Sequence, residues 1–153
     1  MQVVQIQAEP LTSESFRPFG QVVGLDNVHL DLKNDEQFRM GIIHMRNHGY
    51  RVSSLNYHRN STQALVPLSH QAYIAVVAPP GTTFQEAADL KQVRAFICDG
   101  SAGINIGLCT WHQALLPLGP EIKMVNVQGV HSENDTYVCN FQQAFDAVVD
   151  IKL

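Results

Sequence analysis

Charged side chains are scarce in this sequence. Only 16% of its 153 residues are Asp, Glu, Lys or Arg, whereas an average soluble domain carries roughly 25%. A hydrophobic content of 45% at this low charge excludes a disordered or tail-like chain. Ten basic residues against fourteen acidic ones give a net charge of −4, so no positive field attracts nucleic acid.

Long apolar runs are missing as well. The longest, residues 72–78, stops at Pro79 and is far shorter than the roughly 20 residues that span a bilayer. The first residues lack the basic and apolar regions of a signal peptide. The three cysteines, an odd number, predict free thiols in a reducing compartment: Cys98, Cys109 and Cys139. We therefore expect a cytoplasmic protein with no membrane partner.

Common cofactor and catalytic motifs are absent too. The sequence has no glycine-rich phosphate loop, no Gly-x-Ser-x-Gly elbow, no His-Glu-x-x-His and no Cys-x-x-Cys. We expect no nucleotide and no organic cofactor.

Short segments rich in Val and Ile recur between turn formers, which is typical of half-buried strands. In residues 122–128, for example, Ile122, Met124, Asn126 and Gln128 would share one face of a strand. The predicted strands cover residues 2–8, 41–45, 52–58, 71–78, 93–98, 104–108, 123–128 and 136–141.

Helical signals are weak by comparison. Residues 12–16 and 84–90 could each form one turn, and residues 142–148 a short C-terminal helix. Many short strands without long helices predict a mostly β fold, an antiparallel barrel or sandwich with a few short helices. No linker or repeat divides the chain, so we expect one domain over residues 1–153.

Two segments combine polar groups of catalytic type with strand-like surroundings. In the first, His58 and Gln63 flank a bend that could direct both side chains into one cavity. In the second, His112 follows a glycine-rich turn beside Trp111, a flat side chain that could form a pocket wall or simply belong to the core. A neutral imidazole can bind a metal or act as a base near pH 7. Cys109 lies near this segment and is interpreted as a small buried hydrophobic residue.

These segments, in this order, resemble the ureidoglycolate lyase family, formerly called ureidoglycolate hydrolases. The resemblance rests on five blocks in one register: residues 11–20, 58–68, 73–78, 93–100 and 103–115. It implies a single cupin-like β-barrel, often a homodimer, that cleaves (S)-ureidoglycolate to glyoxylate and urea in allantoin breakdown.

The resemblance also implies a set of site residues. His58, Gln63 and His112 would project into the barrel as catalytic groups, or as ligands of a divalent metal ion if one is bound. A small carboxylate substrate would be held by Tyr57, Thr62, Arg94, Asn105 and Trp111. Arg46 and Arg59 are further candidates to pair with the substrate carboxylate.

The sequence departs from the family pattern at several positions. Asn56 stands where relatives usually have Glu, and Val127-Gln128 stands where they carry Asp-Arg. Neutral residues also replace the usual Tyr and His at Ile106 and Gln113. Two alternatives therefore stay open beside the lyase: a non-catalytic binder of a small carboxylate, and a metal-dependent lyase or isomerase that acts on another hydroxy or keto acid.

Overall fold

Fourteen strands form two sheets in the computed structural model, which describes residues 1–153. The larger sheet contains β1 (Gln2–Pro10), β4 (Arg51–Val52), β5 (Ser54–Tyr57), β7 (Tyr73–Ala78), β8 (Arg94–Cys98), β10 (Trp111–His112), β11 (Leu116–Pro117), β13 (Tyr137–Asn140) and β14 (Ala147–Lys152). The smaller sheet contains β2 (Gly20–Val23), β3 (Phe38–Arg46), β6 (Gln63–Pro67), β9 (Gly103–Ile106) and β12 (Glu121–Gly129). The predicted fold class, mostly β in a barrel or sandwich, is confirmed.

The helices are short, as the sequence predicts. They are α1 (Ser13–Phe16), α2 (Phe141–Phe145) and two 3-10 helices at Ala87–Gln92 and Ser132–Asn134. Thr12 caps α1, because its hydroxyl accepts a hydrogen bond from the Ser15 backbone at 3.0 Å. The C-terminal helix predicted over residues 142–148 is wrong beyond α2, since Ala147–Lys152 forms strand β14. This segment pairs with β1, and that pairing overrides the local helical signal.

Strand β12 shows how the sequence pattern orders the smaller sheet. Ile122, Met124 and Asn126 are buried while Glu121 and Lys123 are exposed, which confirms the predicted alternation. β12 pairs antiparallel with β3 on one side and with β6 on the other. Its buried residues therefore face the larger sheet across the barrel interior.

The larger sheet is covered on both faces. All six residues of β7 are buried, so its sequence is apolar throughout rather than alternating. Toward the smaller sheet, Tyr73, Ala75 and Val77 join a core that includes the packed rings of Phe16 and Phe96, whose centroids are 5.4 Å apart. The opposite face forms a second core, in which β7 packs with β14, α2 and Trp111.

Strand β1 makes the larger sheet mixed rather than wholly antiparallel. It runs parallel to β8 on one side and to β14 on the other. The other strand pairs of both sheets are antiparallel.

All three cysteines are free thiols, as predicted. Cys109 is half-buried rather than buried, and its backbone is left-handed with φ 62°. None of the helices is both long and apolar enough to cross a membrane.

Candidate active site

A cavity of about 350 Å³ lies between the two sheets. We call it the inner pocket. Its lining is mainly polar and comes from β3, β5, β6, β10 and β12, together with the segments that follow β5, β10 and β12. Its polar lining residues include Arg39, Asn56, His58, Gln63, His112 and Gln128.

The structure brings the three predicted catalytic residues together in this pocket. Nε2 of His112 lies 3.0 Å from Oε1 of Gln63, and the centroids of the His58 and His112 rings are 5.1 Å apart. The sheet causes this convergence, because His112 on β10 is the cross-strand partner of Asn56 on β5, two residues before His58. Gln63 reaches the pocket from the facing sheet, at the start of β6.

Both histidines are oriented by backbone carbonyl groups. Nδ1 of His58 lies 2.9 Å from the carbonyl oxygen of Asp135, and Nδ1 of His112 lies 2.9 Å from that of Thr110. A carbonyl oxygen only accepts hydrogen bonds, so each Nδ1 carries a proton and donates it. The neutral form of each ring therefore has its lone pair on Nε2. Imidazoles that bind metals or accept protons are commonly oriented in this way.

Burial holds His112 in its neutral form. The ring is 5% exposed, and desolvation lowers the pKa of His112 to about 4; the nearby His58 acts in the same direction and the bond to Thr110 opposes them. At neutral pH the His112 Nε2 atom is thus an acceptor rather than a donor.

This protonation state makes the contact between His112 and Gln63 unusual. A lone pair on Nε2 cannot bond to the amide oxygen that faces it at 3.0 Å. The contact becomes favourable if the amide turns its NH₂ group toward His112, if the ring gains a proton, or if a cation lies between the two atoms. Gln63 is itself held by Asn126, whose Oδ1 accepts a hydrogen bond from Nε2 of Gln63 at 2.9 Å. The 3.0 Å contact thus fits each of these three arrangements of the pair.

Asp135 fixes the turn that carries His58, a role that the sequence did not reveal. Its Oδ2 accepts hydrogen bonds from the backbone N–H groups of Arg59 at 3.0 Å and Asn60 at 2.7 Å. Its own carbonyl accepts the proton of His58. Asp135 is buried and lies 77 residues from His58, and no local pattern connects the two positions.

Arg39 is a second site residue that sequence reasoning missed. It provides the only guanidinium group in the lining of the inner pocket. Its contacts with Ser132 and Glu133 are long, at 3.4 and 3.5 Å, and Glu133 is largely exposed. Arg39 on β3 is also the cross-strand partner of Gln128 on β12. A positive charge is therefore present beside Gln128, on the neighbouring strand.

Tyr57 and Trp111, two of the predicted substrate-binding residues, do not line the inner pocket. Successive strand residues point to opposite faces, so Tyr57 faces away from Asn56 and Trp111 faces away from His112. Both line a cavity of about 640 Å³ on the other face of the larger sheet, which we call the outer pocket. The outer pocket is lined chiefly by Tyr57, Arg59, Phe84, Cys109, Trp111 and Tyr137.

Thr62 and Asn105 also lie outside the inner pocket, and both hold the segment between β2 and β3. The Thr62 hydroxyl accepts a hydrogen bond from the backbone of Asp31 at 3.1 Å. Asn105 donates through Nδ2 to the carbonyl of His29 at 2.9 Å and to the Gln21 side chain at 3.2 Å. Neither residue lines the inner pocket, where the two histidines lie.

The arginines expected to meet the substrate carboxylate are placed elsewhere. Arg94 forms an ion pair with Glu9 at 2.6 Å on the surface, where β8 lies beside β1. Arg59 lines the outer pocket, and Arg46 is exposed at the end of β3. Of the predicted site residues, the inner pocket contains only His58, Gln63 and His112.

The residues present fit a divalent ion only through neutral ligands. No group of three or more His, Cys, Asp or Glu side chains lies together in the chain. The third ligand would have to be the Gln63 amide oxygen, which faces the lone pair of His112 as a cation ligand would. This set of two imidazoles and one amide is compatible with a weakly held ion.

Comparison with known proteins gives a consistent result. The family model for ureidoglycolate lyase matches residues 33–148. The ureidoglycolate lyase of Burkholderia mallei (strain NCTC 10229) is 31% identical over 134 residues, which cover 74% of this chain and 76% of that protein. Ureidoglycolate lyase 1 of Rhizobium meliloti is 27% identical over 161 residues, which cover 92% and 91%.

Among solved structures, a dTDP-6-deoxy-D-glucose-3,5-epimerase from Legionella pneumophila aligns over 82% of both chains with a TM-score of 0.48 and 10% identity. The stretch matched by the family model spans most of the chain and includes both histidines of the inner pocket. The chain therefore belongs to the ureidoglycolate lyase family.

Proposed function

We propose that this chain cleaves (S)-ureidoglycolate to glyoxylate and urea, as a carbon–nitrogen lyase of allantoin breakdown. One observation carries the proposal: His58, Gln63 and His112 converge in one pocket of suitable size for a small acid. The names of the relatives support the same activity.

The reaction needs one proton to move over a short distance. A base removes the hydroxyl proton, the C–N bond breaks as the aldehyde carbonyl forms, and the departing urea nitrogen receives a proton. No proton is gained or lost overall. Two imidazoles with Nε2 available can therefore perform both steps, either as a base and acid pair or through a single ring that moves the proton.

His112 and His58 differ in a way that suggests separate roles. His112 is buried and neutral, with its lone pair fixed by the bond from Nδ1 to Thr110, so it is the candidate to accept the hydroxyl proton. His58 is less buried and fixed by Asp135, so its ring, once protonated on Nε2, is the candidate to deliver the proton to the nitrogen. Gln63 contacts His112 and can orient the reacting hydroxyl through its amide.

The substrate carboxylate needs a cation, and Arg39 is the group in place to supply it. In the family pattern that the sequence resembles, arginine stands at the position of Gln128, whose cross-strand neighbour is Arg39. The guanidinium group makes only long contacts with Ser132 and an exposed Glu133, so a carboxylate can compete for it. The charge lost from β12 would thus be restored from β3.

We further propose that His58, His112 and Gln63 would hold a divalent ion, if one takes part. When bound, such an ion would lower the pKa of the substrate hydroxyl group. Elemental analysis of protein purified without chelators would detect a resident ion. Full activity after exhaustive chelation would contradict a metal requirement.

Glyoxylate release from ureidoglycolate by the purified protein tests the reaction directly. We expect turnover by the wild type and a large loss in the His58→Asn variant. His48→Asn is the matched control, because His48 is exposed and lies outside the inner pocket. Equal activity of wild type and His58→Asn would contradict the proposed chemistry.

One observation favours a second function, a carboxylate-binding protein without catalysis. Asn56, Gln113 and Gln128 give the inner pocket a largely neutral lining. This alternative predicts saturable binding of glyoxylate in calorimetry with no turnover of ureidoglycolate. Turnover above the spontaneous rate would remove it.

A further inference from the structure

The outer pocket lies back to back with the inner pocket on the same two strands. On β5 and the residues that follow it, Asn56 and His58 face inward while Tyr57 and Arg59 face outward. On β10, His112 faces inward and Trp111 outward. The cavity of about 640 Å³ is within the usual range for sites that bind small molecules.

The walls of the outer pocket are aromatic and mutually braced. The Trp111 ring packs edge-on against Tyr57 at 4.6 Å and against Phe84 at 5.2 Å. Tyr57 in turn stacks on Tyr137 at 4.9 Å. The indole N–H of Trp111 donates a hydrogen bond to the carbonyl of Thr82 at 2.9 Å, which fixes the ring. Such walls present flat apolar surface with little entropy to lose on binding.

Arg59 gives this aromatic pocket a positive charge without a carboxylate to neutralise it. Its guanidinium group stacks 4.2 Å above the Tyr137 ring and donates a hydrogen bond to the Tyr57 hydroxyl at 3.4 Å. Arg59 takes part in none of the salt bridges of the chain. The pocket lining contains no acidic residue. Several of its N–H donors are therefore free to bind an anion.

We propose that the outer pocket is a second binding site, for a small planar organic anion such as an aromatic carboxylate. The carboxylate pairs with Arg59 while the flat body of the ligand packs against Trp111 and Phe84. A simple inorganic anion would contact only the guanidinium group, and a neutral aromatic molecule would contact only the aromatic side chains. Both should therefore bind more weakly than an aromatic carboxylate. This site does not depend on the proposed lyase reaction, because none of its residues lines the inner pocket.

Trp111 makes the proposal directly measurable. It is the single tryptophan of the chain and lines the outer pocket, so its fluorescence reports on binding at this site. We expect benzoate to change this fluorescence saturably, whereas acetate, phosphate and benzyl alcohol at the same concentration should not. Equal responses to benzoate and acetate, or to benzoate and benzyl alcohol, would overturn the proposal.

Two variants complete the test. Arg59→Gln should weaken benzoate binding at least tenfold, with circular dichroism verifying that the variant is folded. Arg94→Gln is the matched control, because this arginine also lies over an aromatic ring, Phe96, but outside the outer pocket. Unchanged binding by Arg59→Gln would refute the assignment. So would a fluorescence change that depends on protein concentration without ligand, because the surface would then be an interface between copies of the chain.

Discussion

The inner and outer pockets share strands β5 and β10 and yet have opposite chemistry. The inner pocket combines two imidazoles, an amide and a half-exposed arginine, whereas the outer pocket combines stacked aromatic rings with Arg59. The difference follows from the strand period of two, which sends neighbouring residues to opposite faces. A pair such as Trp111-His112 therefore serves two sites rather than one.

Replacing His112 should separate the two pockets most clearly. We expect His112→Asn to lower kcat/KM for ureidoglycolate by about 10²- to 10⁴-fold, the range lost when general acid–base catalysis is removed. Benzoate titration of Trp111 fluorescence should change little in the same variant, because the indole faces the other side of the sheet. Loss of both signals together would mean that the pockets form one site.

The acid sensitivity of the fold should also trace to the inner pocket. The folded pKa of His112 is about 4, below its ordinary value of 6.5. The unfolded chain therefore binds the proton more readily than the folded chain. The contribution of neutral His112 to the free energy of unfolding is fully present above pH 6.5 and is lost as the pH falls toward 4. The shift corresponds to about 3 kcal/mol of unfolding free energy.

Urea unfolding of wild type and His112→Gln between pH 4 and pH 7 would isolate this effect. Four carboxylates whose folded pKa is lowered weaken the fold in the same direction on acidification: Glu36, Asp99, Glu121 and Asp150. They are present in both proteins, so the difference between the two pH profiles belongs to His112. Parallel profiles would show that His112 is not kept neutral by burial.

Replacing Asp135 should lower the free energy of unfolding, although this residue is far in sequence from the turn that it stabilises. Asp135→Ala leaves the N–H groups of Arg59 and Asn60 without their acceptor, at a cost of about 2 kcal/mol. Asp135→Asn keeps one oxygen and should recover about half of this loss. Urea unfolding at pH 7 measures the free energy of unfolding of both variants. If Asp135→Ala were as stable as the wild type, the proposed role of the carboxylate in this turn would be contradicted.

Replacing Arg39 should have a smaller effect on activity, mainly on KM for ureidoglycolate. Arg39→Gln should raise KM for ureidoglycolate about tenfold with a weaker effect on kcat, because the charge on the substrate carboxylate persists through the reaction. Arg94→Gln, paired with Glu9 on the surface, serves as the control. A fall in kcat at constant KM would instead place Arg39 in the chemical step.

The two histidines of the inner pocket can be predicted from the sequence, but the residues that surround them cannot. His58, Gln63 and His112 were predictable because their segments carry the family pattern. Trp111 and Tyr57 lie in the outer pocket, because the period of two places them on the opposite face from His112 and Asn56. Arg39 and Asp135 carried no local signal, since only the β3–β12 register and the segment after β12 bring them to the site.

The strands and helices likewise include some that the sequence predicts and some that it does not. Strands with clear alternation, such as β12, were predicted, and so was the capped turn of α1. The segment of β14 gave a helical signal and became a strand because β1 offers it a partner. Its parallel pairing joins the two ends of the chain and has no local signature in the sequence. The homodimer expected from the family resemblance stays a prediction, which sedimentation analysis would check.

Strand β1 cannot complete its pairing in the newly made protein until β14 has been synthesised. Gln7 on β1 pairs with Lys152 on β14, 145 residues later. At ordinary rates of translation, this strand waits on the order of 10 s for that neighbour to emerge from the ribosome. Until then one edge of β1 is unpaired, so nascent or prematurely terminated chains should be the species that aggregate and engage chaperones.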